Sequence, residues 1–305
     1  RTEPGARPGV MHIVDAHHHL WDLGAVSYPW LMARGVRRFF GDPTPIQRDY
    51  LVRDFRADAG NYTIDASVHI QVGVAPGDEV RETAWLQDTA VREGLPSAIV
   101  AFVDLAQRDA MNVVEQHLAH TRVRGVRQII GRSDEEDAVT GSGRLIDDPL
   151  WREHLHAVGE LGLSFDLQLT PSQVPAVADL LATLPRVPVA LCHCGSPWDQ
   201  TPAGLASWQH GLKLLAELPQ VSVKISGLGM FDHDWTVESI RPIVESCIDA
   251  FGPKRTMFGS NFPVDRLHAD FATVWGAYET ITASLPEADR QRLFGDTARD
   301  FYRID

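Results

Sequence analysis

Short runs of β-branched and other apolar residues, each closed by polar ones, recur along the chain. Between them apolar residues return every three to four positions. The first pattern predicts buried strands and the second amphipathic helices. Strand runs cover residues 12–17, 66–72, 98–104, 125–130, 163–169, 188–193, 221–226 and 256–260. Helical rhythm fills 82–93, where Ala84, Leu86, Ala90 and Val91 recur. Asp148-Pro149 supplies an N-cap and a first-position proline for a helix that ends at Gly162, and Thr170-Pro171 opens the next, toward Leu184. Further helices are expected over 207–218, 237–251 and 270–283, with a helical tail over 287–302.

Eight strands alternating with helices are the pattern of parallel βαβ units. In a chain of 305 residues this predicts an α/β fold, a single-domain (β/α)8 TIM barrel. An open doubly wound sheet would more often carry a glycine-rich turn after its first strand. Here the first strand runs instead into His17-His18-His19-Leu20-Trp21-Asp22. A long loop after strand one, residues 22–65, carries Tyr28, Trp30, Phe39, Phe40 and Phe55. It reads equally as a cap over the barrel mouth and as a packing flap on its rim. Residues 1–11 read as a floppy leader or a remnant of expression, with Met11 near a natural start, and 12–305 as the barrel domain.

Composition narrows the partners. With 44% hydrophobic and 23% charged residues the chain reads as an ordinary soluble protein. A net charge of -13 argues against nucleic acid and anionic membranes. No apolar run approaches the roughly 20 residues that span a bilayer. Cys192, Cys194 and Cys247 lack the spacing of a zinc knuckle or redox pair and fit buried thiols in a reducing, cytoplasmic setting. A small-molecule substrate is the expected partner; a homodimer stays open.

In such barrels the reactive groups sit at the C-terminal ends of the strands. Those positions hold His17 and His19, Gln71, Asp104, Arg127 and Gln128, Asp166 and Gln168, His193, Lys224 and Ser226, then Ser260-Asn261 running on to Asp265. Strand alternation places His17 and His19 on one face and turns His18 to the barrel wall. Polar residues ending nearly every strand are costly in a plain core, so their convergence points to a site. Gln71 and Gln168 suit hydrogen bonding to a substrate. Arg127 suits a carboxylate or an oxyanion. Lys224 is a second candidate for that role or pairs with a neighbouring carboxylate. Trp30, in the loop, is a further candidate for substrate contact.

The segments Asp15-Ala16-His17-His18-His19-Leu20-Trp21-Asp22, Arg53-Asp54-Phe55, Glu82-Thr83-Ala84-Trp85-Leu86, Gly125-Val126-Arg127, Lys224-Ile225-Ser226-Gly227-Leu228 and Met257-Phe258-Gly259-Ser260-Asn261-Phe262-Pro263-Val264-Asp265 resemble the amidohydrolase-2 family of the amidohydrolase superfamily. The sugar-lactone and pyrone-dicarboxylate lactonase branch is the nearer likeness, and it runs from about residue 12 to the end. The resemblance implies a hydrolase that opens a small lactone or related cyclic ester. It makes His17 and His19 the pair that holds zinc or polarises the carbonyl, with His193 as the strand-six histidine. The family's strand-eight aspartate is Asn261 here, and an amide is no carboxylate base. A binuclear centre is not expected. One zinc or other divalent ion on His17, His19 and His193 fits, since three histidines plus water make a catalytic zinc site, and a metal-free site is the other reading. The base falls to metal-bound water or to Asp265, which equally reads as a helix cap. The rivals are a nonoxidative decarboxylase and a barrel that only binds a ligand or forms a ring.

Overall fold

The computed structural model describes residues 12–305; the expected leader, 1–11, lies outside the described residues. Eight parallel strands follow one another in chain order around a barrel. They are β1 (Ile13–His18), β2 (Ile64–Ile70), β3 (Ala98–Phe102), β4 (Val123–Arg127), β5 (Ser164–Leu167), β6 (Val189–Leu191), β7 (Val221–Ile225) and β8 (Thr256–Phe258). The ends of β8 and β1 meet through their extensions. Asn261 N–H donates to the His17 carbonyl at 2.7 Å, and His19 N–H to the Phe262 carbonyl at 2.8 Å.

Seven of the eight strands end earlier than the apolar runs suggest, and β1 ends one residue later, at His18. β6 stops at Leu191 because His193 and Cys194 adopt left-handed φ of 52° and 56°, which no strand continues. Ile13, Ile99, Val126, Phe165, Leu191, Val223 and Phe258 of the strands belong to the larger core cluster. On the axis, Val14, Ala16, Ala66, Val68, Ile70, Ala98, Val100 and Met257 pack with Ala298 and Tyr302 of the C-terminal helix. Above them a fully buried polar layer begins: Lys224 Nζ lies 2.5 Å from Asp166 Oδ2, and the Tyr302 hydroxyl donates to both Asp166 oxygens at 2.9 and 3.1 Å.

Four α-helices went unread in the sequence: Pro29–Met32, Val52–Ala59, Ala110–Leu118 and Asp134–Thr140. Val52–Ala59 does carry a helical rhythm, burying Val52, Phe55 and Ala59, whereas Asp134–Thr140 buries no residue and is set by its cap, where the Ser133 hydroxyl accepts from Glu136 N–H. Val52–Ala59 lies in the long loop and presses Phe55 onto His18, ring centroids 4.3 Å apart and nearly parallel. Both readings of that loop hold in part, since Trp30, Phe39 and Phe40 line the mouth while Tyr28, Tyr50 and Phe55 are core. Among the described residues no helix is long and apolar enough to cross a membrane.

Candidate active site

At the C-terminal end of the barrel lies a cavity with about 600 Å³ of free space, the open solvent at its mouth included. Its floor is His19, His193 and Asn261; its walls are Gln71, Arg127 and Gln168; the loop supplies Trp30, Arg38, Phe39 and Phe40. Seven residues expected at the site are therefore brought together: His19, Gln71, Arg127, Gln168, His193, Asn261 and Trp30. Three are not. His17 sits one layer deeper, Asp265 stands behind Asn261, and Lys224 is committed to Asp166 below the floor. The expectation that Lys224 meets a substrate is corrected by that ion pair, which takes its ammonium out of reach of the cavity. Asp104 and Gln128 brace each other at 2.8 Å, and Gln128 Oε1 accepts from the Leu105 amide and the Trp151 indole; they are scaffold.

A break in strand alternation sets the histidines. Between Asp15 and His18, β1 advances three residues while β2 advances two, from Ser67 to His69. This bulge lets neighbouring Ala16 and His17 both face the axis and sends His18 outward onto Phe55. The His17 ring lies 4.5 Å from that of His193 and 5.1 Å from that of His19. Burial, then the charge of neighbouring groups, holds His17 and His193 well below the usual histidine range. Burial and the nearby Arg127 bring His19 down to about 3. All three are neutral imidazoles at neutral pH.

His19 Nδ1–H donates to the Ile70 carbonyl at 2.7 Å, so its Nε2 carries a free lone pair. That lone pair faces Asn261 Oδ1 at 3.3 Å. The amide is oriented from behind, where Nδ2 donates to Asp265 Oδ1 at 2.8 Å. Two acceptors thus face one another with no hydrogen between them, an arrangement that a cation or a water molecule satisfies. Both ring nitrogens of His17 are buried without a partner. His193 Nδ1 is 2.9 Å from Ser226 Oγ, leaving Nε2. Nitrogen and amide-oxygen donors of this kind suit one divalent ion by their chemistry. Among the described residues, the three metal-ligating side chains whose donor atoms lie within 4.8 Å of one another are His17, Asp166 and Cys192, so His19 and His193 would have to draw in to share an ion with His17. Burial pushes Asp265 up to about 7 and Asp15 to about 6. Asp15 Oδ1 ties β1 to β8 by accepting from Ser260 N–H at 2.9 Å.

The backbone under these groups is strained. Among the described non-glycine residues with positive φ are His193, Cys194, Ser196 and Asn261, all at the ends of β6 and β8. Such conformations cost about 1–3 kcal/mol each and gather where a site needs them. A Cβ on Gly227, itself at φ +69°, would come within 2.5 Å of His193 Nδ1.

The upper wall is cationic. Arg127 donates to Gln168 Oε1 at 3.1 Å and to the Gln71 carbonyl at 2.8 Å, and its Nε has no partner. Arg38 pairs with Glu136 through two bonds of 2.9 and 3.0 Å, and Arg132 stands 3.9 Å from the same carboxylate. Among the described residues no carboxylate lines the cavity. Arg38 and Arg132 were missed by sequence reasoning. They lie outside strands, and only the run Arg37-Arg38-Phe39-Phe40, basic beside aromatic, could have singled one out.

The amidohydrolase family matches this chain over residues 14–304. An uncharacterized protein of Sinorhizobium fredii is 39% identical over 293 residues, covering 96% of this chain and 98% of that protein. An L-fucono-1,5-lactonase of Burkholderia multivorans is 30% identical over 305 residues, covering 95% and 96%. A solved amidohydrolase of Burkholderia multivorans with bound zinc superposes with a TM-score of 0.80 at 27% identity, covering 96% of this chain and 99% of its own.

Proposed function

We propose, since the chain belongs to the amidohydrolase family, that it hydrolyses a small lactone whose ring carries a carboxylate. Hydrolase chemistry on a lactone is in keeping with the lactonase relative. The carboxylate is our finer reading. The observation that carries it is a buried Arg127 that has no carboxylate partner among the described residues, in a cavity that none of their acidic side chains lines; Arg38 and Arg132, two cations sharing the single carboxylate of Glu136, add to the same wall. In a protein of net charge -13 this cationic pocket needs a cause, and an anionic ligand is the direct one.

The geometry then assigns roles. Arg127 and Gln168 hold substrate oxygens at the wall, which points the lactone carbonyl at the floor. His19 Nε2 and Asn261 Oδ1 accept the two hydrogens of one water and turn its free lone pair toward the carbonyl carbon. His193 Nε2 faces the oxygen that becomes negative as the water adds. In the ion-free protein the proton of the water passes through His19 to the ring oxygen, which leaves as a hydroxyl; a ring held at about 3 relays that proton and does not keep it. A divalent ion held by His17, His19 and His193, with Asn261 beside them, would acidify the same water and polarise the carbonyl. Zinc is the ion we favour, from the imidazole donor set and the zinc-bound relative. Asp265 acts through Asn261 by fixing the amide.

The test is proton release at constant pH against paired γ- and δ-lactones, with and without a ring carboxylate, with zinc and with chelator. We expect turnover of carboxylated lactones. No ring opening by folded protein on any of them, under either condition, sinks the proposal.

A further inference from the structure

Behind the cavity floor, on the outer side of β1 and β2, lies a second set of buried polar groups that the chemistry above does not use. His18, His69 and Glu82 are all nearly or fully buried, and both ring nitrogens of His18, His69 Nε2 and Glu82 Oε2 have no hydrogen-bond partner among the described residues. The paired residues of β1 and β2 end at His18 and His69. Past that point the two chains stay joined through imidazoles. The His19 ring, on the β1 side, donates Nδ1–H to the Ile70 carbonyl of β2 at 2.7 Å. In return the His69 ring, on β2, accepts the Leu20 amide hydrogen at Nδ1, 3.1 Å away. Leu20 is the residue after His19, so β2 grips His19 twice, once through its own ring and once through the next peptide.

These bonds dictate opposite tautomers. A carbonyl only accepts, so His19 carries its proton on Nδ1 and keeps Nε2 free. A peptide N–H only donates, so neutral His69 carries its proton on Nε2, which faces Glu82 Oε2 at 4.0 Å. Burial keeps His69 well below the usual histidine range, in accord with a neutral ring.

We propose that His69 is a positioning residue for the floor of the active site: its Nδ1 anchors the Leu20 peptide and so holds His19 in the Nδ1–H tautomer, Nε2 toward Asn261. Glu82 backs the Nε2–H side of His69. The inference rests on the role given to His19 under the proposed function, but its first test does not depend on activity. Long-range nitrogen–proton NMR of histidine-labelled wild-type protein reads the two tautomers. We expect Nδ1–H for His19 and Nε2–H for His69. The reverse assignment for either ring overturns the proposal, whatever the protein hydrolyses.

Two variants then separate positioning from support of the fold. His69→Leu removes the acceptor for Leu20; His69→Asn places an amide oxygen near the position of Nδ1. We expect His69→Leu, at a temperature where it is folded, to lose kcat by about 10- to 100-fold with KM little changed, since small misplacement of a reacting group costs on that order. We expect His69→Asn to recover most of that loss. In His69→Leu the His19 nitrogen signals should also move toward a mixture of tautomers. Unchanged kcat and an unchanged His19 tautomer in folded His69→Leu overturn the proposal. A shifted tautomer in a protein that turns over no lactone would uphold the positioning role and refute the lactonase reading instead.

Discussion

Glu82→Gln should flatten the dependence of stability on pH. Glu82 lies in the helix Glu79–Glu93 with its carboxyl sealed between that helix and β2. Burial pushes it up to about 8 from an ordinary 4.5. Between those values the folded protein holds a proton that the unfolded chain has released. Stability from this group is therefore complete below about pH 4.5 and is lost as pH rises through about 8. The slope approaches 1.36 kcal/mol per pH unit, so between pH 5 and 8 the loss is about 3–4 kcal/mol. The group is fully buried, so solvent screening takes little from that figure. Glutamine has nearly the same shape and cannot titrate. Urea denaturation of wild type and variant at pH 5, 6, 7 and 8 gives the difference directly, because every other titrating group cancels. We expect the variant to gain on the wild type steadily across that range. Parallel stability profiles would refute the reasoning and mean that Glu82 is solvated or paired at neutral pH.

Lys224→Met leaves the buried Asp166 with the Tyr302 hydroxyl and the Cys192 thiol as its partners, so calorimetry should show a loss of about 3–5 kcal/mol of stability; a variant as stable as the wild type would refute a structural role for this ion pair. Gly227→Ala puts a methyl against the His193 ring at a left-handed φ. It should cost about 1–2 kcal/mol in backbone conformation and more in kcat, on the order of 100-fold, with steady-state kinetics as the check. Arg132→Met should raise KM for a carboxylated lactone and leave a matched neutral lactone nearly unchanged; equal loss on both would remove Arg132 from recognition. Zinc in excess should raise the melting temperature of the wild type, by about 2.7 kcal/mol of stability at one hundred times Kd, and not that of His17→Leu. An equal rise in both proteins would place the ion elsewhere.

Strand order, and hence the barrel, was legible because parallel strands buried on both faces are written as apolar runs of fixed spacing. The polar residues that end those runs were legible for the same reason, since a residue at a strand terminus has few places to go. His19, His193, Asn261, Arg127, Gln71 and Gln168 meet in one cavity on that logic. Depth was not legible. Lys224 and Gln168 both sit at strand ends, yet one lies beneath the floor and the other on the wall. The difference comes from Asp166, which captures the ammonium, and Tyr302, far off in sequence, whose hydroxyl holds Asp166 while its ring lies 5.0 Å from the ammonium. Nor could Arg38 and Arg132 be read, because loop residues reach a site by packing that no periodicity records.

The histidine run shows why local pattern was half right. Alternation alone puts His17 and His19 on one face, and they do approach each other. Alternation also puts Val14, Ala16 and His18 together, which would turn Ala16 and His17 to opposite sides. The structure has Val14, Ala16, His17 and His19 inward and His18 alone outward. Only the extra residue in β1, against the shorter step from Ser67 to His69 in β2, reconciles the two sets. A bulge has no signature in one strand, because it is a relation between two. The same relation seats His69 opposite the end of β1, where its ring can take up the Leu20 amide after the ladder stops. The bulge that lets Ala16 and His17 share the axis ends at the His18–His69 pair, just before His69 takes up the Leu20 amide. Deleting Ala16 should therefore restore regular alternation with His17 still inward, opposite Val68, and His18 still opposite His69, so the Leu20 contact should persist; its loss in a folded deletion variant would refute this reading of the register.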